Sequence, residues 1–337
     1  IVSGWMLAFL LQPVAQVVGL KTLADWLVVD GVVRNSLFVV VFMLLTVFII
    51  SAGVKEGIEK WATRLMPSLV LILVLLIGYV FTLPGAMEGL RAYLIPDFSV
   101  FARPGLLVSA MGQAFFSLSL GVGTMLVYGS YISKSENLPV IGSLVALLDV
   151  GIAVLAGLLI LPAMYVALAS GVEIFDAQGG LIAGPGLIIS VLPALFDSMG
   201  AVGGFVAFAF FALMAIASLT SSISMLEVPV SFVVESKGVR RPAAALLLGL
   251  IIALISLVIV FNFDALFDLV VTATTEMSQP LLGLFFCVFS GWIWNRATIL
   301  EEIKQGAPDA ASGFFWRIWP FYIRVVCPAA ILIVYLQ

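Results

Sequence analysis

Four groups of polar residues interrupt an otherwise apolar chain, and each has a type and spacing that could do chemistry. The first is GQAFFSLSLGVG (112–123). A glycine inside a helix costs about 1 kcal/mol relative to alanine. Gly121 and Gly123, beside Ser117 and Ser119, therefore predict that a helix unwinds there. Unwound backbone at membrane depth must line a cavity or be buried in protein, because lipid cannot satisfy its amides. A packing seam of small residues is the alternative. The second is Asp149, in an apolar run with no lysine or arginine nearby. A carboxylate at the bilayer centre costs on the order of 3 kcal/mol and is a functional candidate by default. Gly142, Ala146, Ala153 and Gly157 share its helical face, leaving room for another backbone to approach. A bound cation would neutralise it; the alternative is a carboxyl that is protonated or structurally paired.

The third group is ASLTSSISMLE (217–227). Ala217, Thr220, Ser221 and Ser224 fall at i, i+3, i+4 and i+7, on one face. Hydroxyls and carbonyls so grouped are hard oxygen donors, suited to an alkali cation; alternatively, serines and threonines in a helix bond back to their own carbonyls. Glu227 lies one turn beyond Ser224 and could cap this network or titrate. The fourth group is Asp268 and Glu276, with Asp268 near the outer end of its span, either a surface carboxylate or half of a gate.

The elements that hold these residues follow from composition. Of 337 residues 63% are hydrophobic and 10% charged, with a mean hydropathy of +1.24. Soluble domains carry about 25% charged residues, so a water-soluble globule is excluded. Disorder is excluded by the same numbers, and a β-barrel by continuous apolar runs where alternation is needed. The class is all-α integral membrane protein. The chain contains no histidine, which removes Ser-His-Asp triads and histidine zinc sites. Cys287 and Cys327 have no ligand-like spacing and read as small core residues. No basic cluster is present to bind nucleic acid.

Nine spans of roughly 20 apolar residues or more are expected, at 1–20, 36–53, 65–84, 106–132, 139–169, 201–234, 241–262, 264–293 and 315–336. The piece from Gly186 to Phe196 is too short to cross and reads as a short helix in a re-entrant outer loop, 170–200. Lysine and arginine mark the cytoplasmic side. Eleven of them fall in or near 54–64, 133–138, 235–241 and 294–324, against Lys21, Arg34, Arg91 and Arg103 opposite. Loops 54–64, 133–138, 235–241 and 294–314 are therefore expected in the cytoplasm. The chain opens inside an apolar run with no basic leader, so it is read as a longer protein lacking its N-terminal part, not as a signal peptide.

The segments GQAFFSLSLGVGTMLVYGSY (112–131), GPGLIISVLPALF (184–196) and LTSSISMLEVPVSF (219–232) strongly resemble the neurotransmitter:sodium symporter family, above all its bacterial amino-acid transporters. Order and spacing support the match from SGWMLAF (3–9) to the last span. The resemblance implies a leucine-transporter-type inverted-repeat helical bundle with about nine spans present and the first two helices missing. On that scheme 1–84 holds the third to fifth helices, 106–293 the second repeat (sixth to tenth helices), and 315–336 the eleventh.

By the same resemblance, Ser117 and Asp149 match ligands of a first sodium site, and Ala217, Thr220 and Ser221 those of a second. Both sites are incomplete in this fragment. Phe116, Ser117, Ser119, Gly121, Val122, Ser221 and Met225 match positions around the substrate, while Gln113, Phe116 and Asp268 match the outer gate. Asp149 stands where the family has an amide, a fixed negative charge that implies chloride is not required. The function implied is sodium-coupled symport of a small neutral amino acid, hydrophobic or aromatic, through the bacterial inner membrane by alternating access. The alternatives are a proton-coupled carrier using Asp149 or Glu227, or a non-transporting amino-acid receptor on the same fold. No enzyme is expected, the oligomeric state is not legible, and the fragment alone is expected to be inactive.

Overall fold

The computed structural model describes residues 1–96, 98, 104–177 and 179–335; Arg103 and the last residue of the ninth expected span lie outside them, as does the side chain of Glu276. In chain order the helices are α1 (Val2–Val17), α2 (Lys21–Val28), α3 (Val32–Ser51), α4 (Lys60–Val80), α5 (Ala86–Leu94), α6 (Pro104–Ser117), α7 (Thr124–Ser130) and α8 (Leu138–Ala169). They continue with α9 (Leu192–Ser198), α10 (Gly203–Lys237), α11 (Arg241–Phe261), α12 (Phe263–Val271), α13 (Gln279–Val288), α14 (Arg296–Gly306), α15 (Phe314–Phe321) and α16 (Cys327–Tyr335). Among the described residues the only β pairing is an isolated bridge between Phe175 and Leu181.

Six of the described helices are long and apolar enough to cross a membrane, and the bent pair Phe263–Ile293 with Arg296–Gly306 makes a seventh. Nine spans were expected. The count falls because α1 has only 16 residues, the fourth span splits between α6 and α7, and the eighth is counted only with its bend.

Two boundaries differ from expectation for identifiable reasons. The second span begins at Val32, so Arg34 and Asn35 are inside the helix. Arg34 is only 2% exposed. Its guanidinium donates to the Leu27 carbonyl at 3.0 Å, to Asn35 Oδ1 at 2.6 Å and to Asp30 Oδ1 at 3.3 Å, and lies over the Phe9 ring. A buried charge so paired does not end a helix. The expected loop 54–64 is also mostly helical. Gly53, with φ 93°, makes the turn, a π-helical turn covers Val54–Glu59, and Lys60 donates to Glu56 at 2.9 Å.

The chain divides into two compact units, Ile1–Pro96 with Ile152–Asn262, and Asp97–Gly151 with Phe263–Gln337. The first unit is built on α10, which packs against α1, α3, α4 and α11. Phe9 and Phe211 meet at 5.1 Å, and Phe196 of α9 packs edge-on against Phe211. This anchors the short helix α9 through buried Leu192, Leu195 and Phe196. Contact between helices depends on small residues, as membrane packing requires. A Cβ on Gly4 would lie 2.9 Å from the Phe38 carbonyl carbon, and one on Gly89 would lie 2.6 Å from the Leu161 oxygen and Pro162 Cα. The narrow face expected at Gly157 is filled by the Tyr93 ring, whose hydroxyl donates to the Val154 carbonyl. In the second unit α13 packs against α6 and α16.

Gly89→Ala pushes a methyl group into backbone that cannot turn aside, and overpacking of this kind costs about 1–3 kcal/mol. Gly78 in α4 has open space at its Cβ position, so Gly78→Ala should be neutral or stabilising by up to about 1 kcal/mol. Thermal unfolding of the detergent-solubilised protein checks both; equal effects would contradict the backbone contact.

Candidate functional site

The second unit carries the break. α6 ends at Ser117 and α7 starts at Thr124. In the intervening segment Ser119 has φ 51°, Gly121 φ 83° and Gly123 φ 91°. The Leu120 amide donates to Phe115 O at 3.0 Å and the Ser119 amide to Phe116 O at 3.0 Å, a Schellman closure with Ser119 where glycine is usual. A left-handed non-glycine residue costs about 1–2 kcal/mol, so surrounding structure must hold it. Part of that hold is visible at Gly121, where a Cβ would lie 2.2 Å from the backbone oxygen of Gln279. No side chain other than hydrogen fits.

At the C-terminal end of α6, Ser117 Oγ donates to Asp149 Oδ1 at 2.7 Å. The hydroxyl and carboxylate come from positions 32 residues apart and present hard oxygen atoms side by side. With the hydroxyl proton committed to one carboxylate oxygen, the lone pairs of Ser117 and the other oxygen of Asp149 remain to meet a cation. Phe116 is 47% exposed. Ser119 and Val122 are half-buried, and Gln113 and Asp268 are exposed. Among the described residues no hydrogen bond joins Gln113 to Asp268.

The first unit carries the hydroxyl-rich face on α10. Thr220 donates to the carbonyls of Ile216 and Ala217, at 3.1 and 2.9 Å, and Ser224 to that of Thr220 at 3.1 Å. These hydroxyls therefore do bond back along their own helix. Ser221 is exposed and Ala217 half-buried. Ser222 and Met225 line a cavity of about 220 Å³ that Gly4, Thr46, Ile252 and Ser256 also border. Glu227 is fully buried on the same helix, and Arg241 donates to its carboxylate and to the Ile50 carbonyl. That pair ties α10, α11 and α3 together and occupies the carboxylate with a structural partner.

Two polar residues went unnoticed in the sequence. Thr124 Oγ1 and Gln279 Oε1 are buried with no hydrogen-bond partner among the described residues, one at the start of α7 and the other beneath Gly121. Neither stands out in the sequence: Gln279 closes the polar stretch Thr272–Ser278, and Thr124 is a lone hydroxyl after Gly123.

A family model described as the sodium:neurotransmitter symporter family matches residues 17–337. The chain belongs to that family. The uncharacterized sodium-dependent transporter YhdH of Bacillus subtilis is 30% identical over all of this chain and 75% of its own length. The sodium-dependent serotonin transporter of Drosophila melanogaster is 30% identical over 88% of this chain and 48% of its own. A crystal structure of MhsT in complex with L-phenylalanine superposes with a TM-score of 0.81 at 33% identity, covering 99% of this chain and 76% of that one. As a symporter-family member with the leucine-transporter fold, the chain is a sodium-dependent transporter held in a membrane by several spans, and not an enzyme.

Removing one partner of a buried ion pair leaves an uncompensated charge and costs about 3–5 kcal/mol. Glu227→Leu should lower stability by that order, and adding Arg241→Met should restore most of it. Thermal melts of the two variants decide; a double variant no better than the single would mean that Arg241 is not the partner that matters.

Proposed function

We propose that this chain carries part of the machinery that couples sodium to the movement of a small neutral amino acid with a hydrophobic or aromatic side chain, by alternating access. The observation that carries the reading is the Ser117–Asp149 hydrogen bond at a helix break. Hard oxygen donors of this kind suit an alkali cation, and a carboxylate in lipid is stabilised by one. Ser117 and Asp149 are assigned to a first sodium ion. Ala217, Thr220 and Ser221 are assigned to a second, held by carbonyl and hydroxyl oxygens of α10. Thr220 donates its hydroxyl to the Ala217 carbonyl, and the lone pairs of that hydroxyl oxygen remain to meet an ion.

Phe116, Ser117, Ser119, Gly121, Val122, Ser221 and Met225 are assigned to the amino acid. Helix termini and unwound carbonyls can meet its two charges away from water. The resemblance to a structure holding L-phenylalanine supports an apolar side chain, and Val122 and Met225 offer it small or adaptable neighbours. Gln113, Phe116 and Asp268 are assigned to an outer gate. Asp149 supplies a fixed negative charge, so transport should need no chloride. The lysine and arginine distribution supports a cytoplasmic position for 54–64, 133–138, 235–241 and 294–314 in a bacterial inner membrane.

Coupling arises when ion and substrate each favour the same state, and typically amounts to about 1–3 kcal/mol. Binding of labelled phenylalanine to the full-length protein should therefore strengthen about 5- to 150-fold when sodium replaces potassium. Asp149→Asn should weaken that sodium dependence or render it sensitive to chloride. Sodium activation unchanged in Asp149→Asn would remove Asp149 from the ion site.

A further inference from the structure

Cys287 and Cys327 are the only cysteines in the chain, and their forty-residue separation hides a contact that the second unit creates. Within that unit α13 packs against α16. Just beyond α13, the Arg324 side chain donates from Nε to the Gly291 carbonyl, and a Cβ on Gly291 would lie 3.1 Å from Arg324 Cγ. One helical turn back from Gly291 is Cys287, and one turn on from Arg324 is Cys327. With the two segments antiparallel, this register sets the cysteines opposite each other across the packed helices. Both are reduced; Cys287 is buried and Cys327 half-buried.

Two facts narrow what such a pair does. Among the described residues no third histidine, cysteine, aspartate or glutamate joins it, so it is not a tetrahedral zinc site. It also lies in apolar spans, where any product carrying net charge is costly. A disulfide is uncharged and uses both sulfurs.

We infer that Cys287 and Cys327 form an intramembrane dithiol that closes to a disulfide under a membrane-permeant two-electron oxidant, stapling α13 to α16. Two S–H bonds break and one S–S bond forms. Two electrons and two protons pass to the oxidant, which for an azo compound such as diamide turns N=N into HN–NH. The attacking species is a thiolate, which apolar burial disfavours, so closure and reopening are both slow.

The test treats the protein in lipid vesicles with diamide, denatures it in detergent, adds N-ethylmaleimide and records intact mass and digested peptides. Untreated protein should take maleimide on Cys287 and Cys327. Oxidised protein should take none on either, be lighter by two hydrogens, and yield one cross-linked peptide pair containing both residues, reversed by dithiothreitol. Cys287→Ser and Cys327→Ser should each leave the other cysteine open to maleimide after diamide. Maleimide addition to both residues after diamide, or a disulfide formed only between chains, would overturn the inference. The readout does not involve transport, so it stands or falls apart from the sodium assignment.

Discussion

Inside a bilayer every backbone amide must find its partner in the protein, and this chain meets that requirement at a helix it has deliberately interrupted. Between Ser117 and Thr124 the chain turns through the left-handed region at Ser119, Gly121 and Gly123. The carbonyls exposed by the break are answered locally, Phe115 and Phe116 accepting from Leu120 and Ser119. The segment is then pressed onto the backbone at Gln279, where only glycine fits. Lipid would make an unsupported break prohibitive, so its presence requires a protein environment and directs polar backbone toward whatever that environment encloses. Ser117 reaches Asp149 at this edge, and the candidate ion site follows from the break.

Charge elsewhere is handled by the opposite strategy. Arg34 is buried and bound to several partners and Glu227 is buried and paired with Arg241, and these contacts join helices and offer nothing to a ligand. Asp149 differs in being shared with one hydroxyl and in having no cationic side chain bonded to it among the described residues. The contrast separates a carboxylate that holds the scaffold from one available to an ion, and it weighs against Glu227 as a proton carrier.

Much of this was legible in the sequence. Glycine and serine in an apolar run announced the break, and a lone carboxylate announced Asp149, because local composition is enough to flag a polar group in lipid. Family resemblance gave the pairing of Ser117 with Asp149, which no spacing rule could supply across 32 residues. The start of α3 was misplaced because Arg34 looks like a span boundary until its partners are known. The Cys287–Cys327 contact was invisible for a similar reason: it depends on the register of two helices, set in part by Arg324 on Gly291. Gln279 carries no such flag, because it closes the polar stretch Thr272–Ser278, where one more uncharged side chain does not stand out.

In the proposed cycle a sodium gradient drives amino-acid accumulation through this fold. The most direct measurement is uptake of labelled phenylalanine into vesicles containing the full-length protein, with sodium or potassium outside and with or without a proton gradient. Accumulation above equilibrium only under an inward sodium gradient is the predicted result. Accumulation driven by protons in the absence of sodium would contradict the account and recast Asp149 as a proton-carrying group.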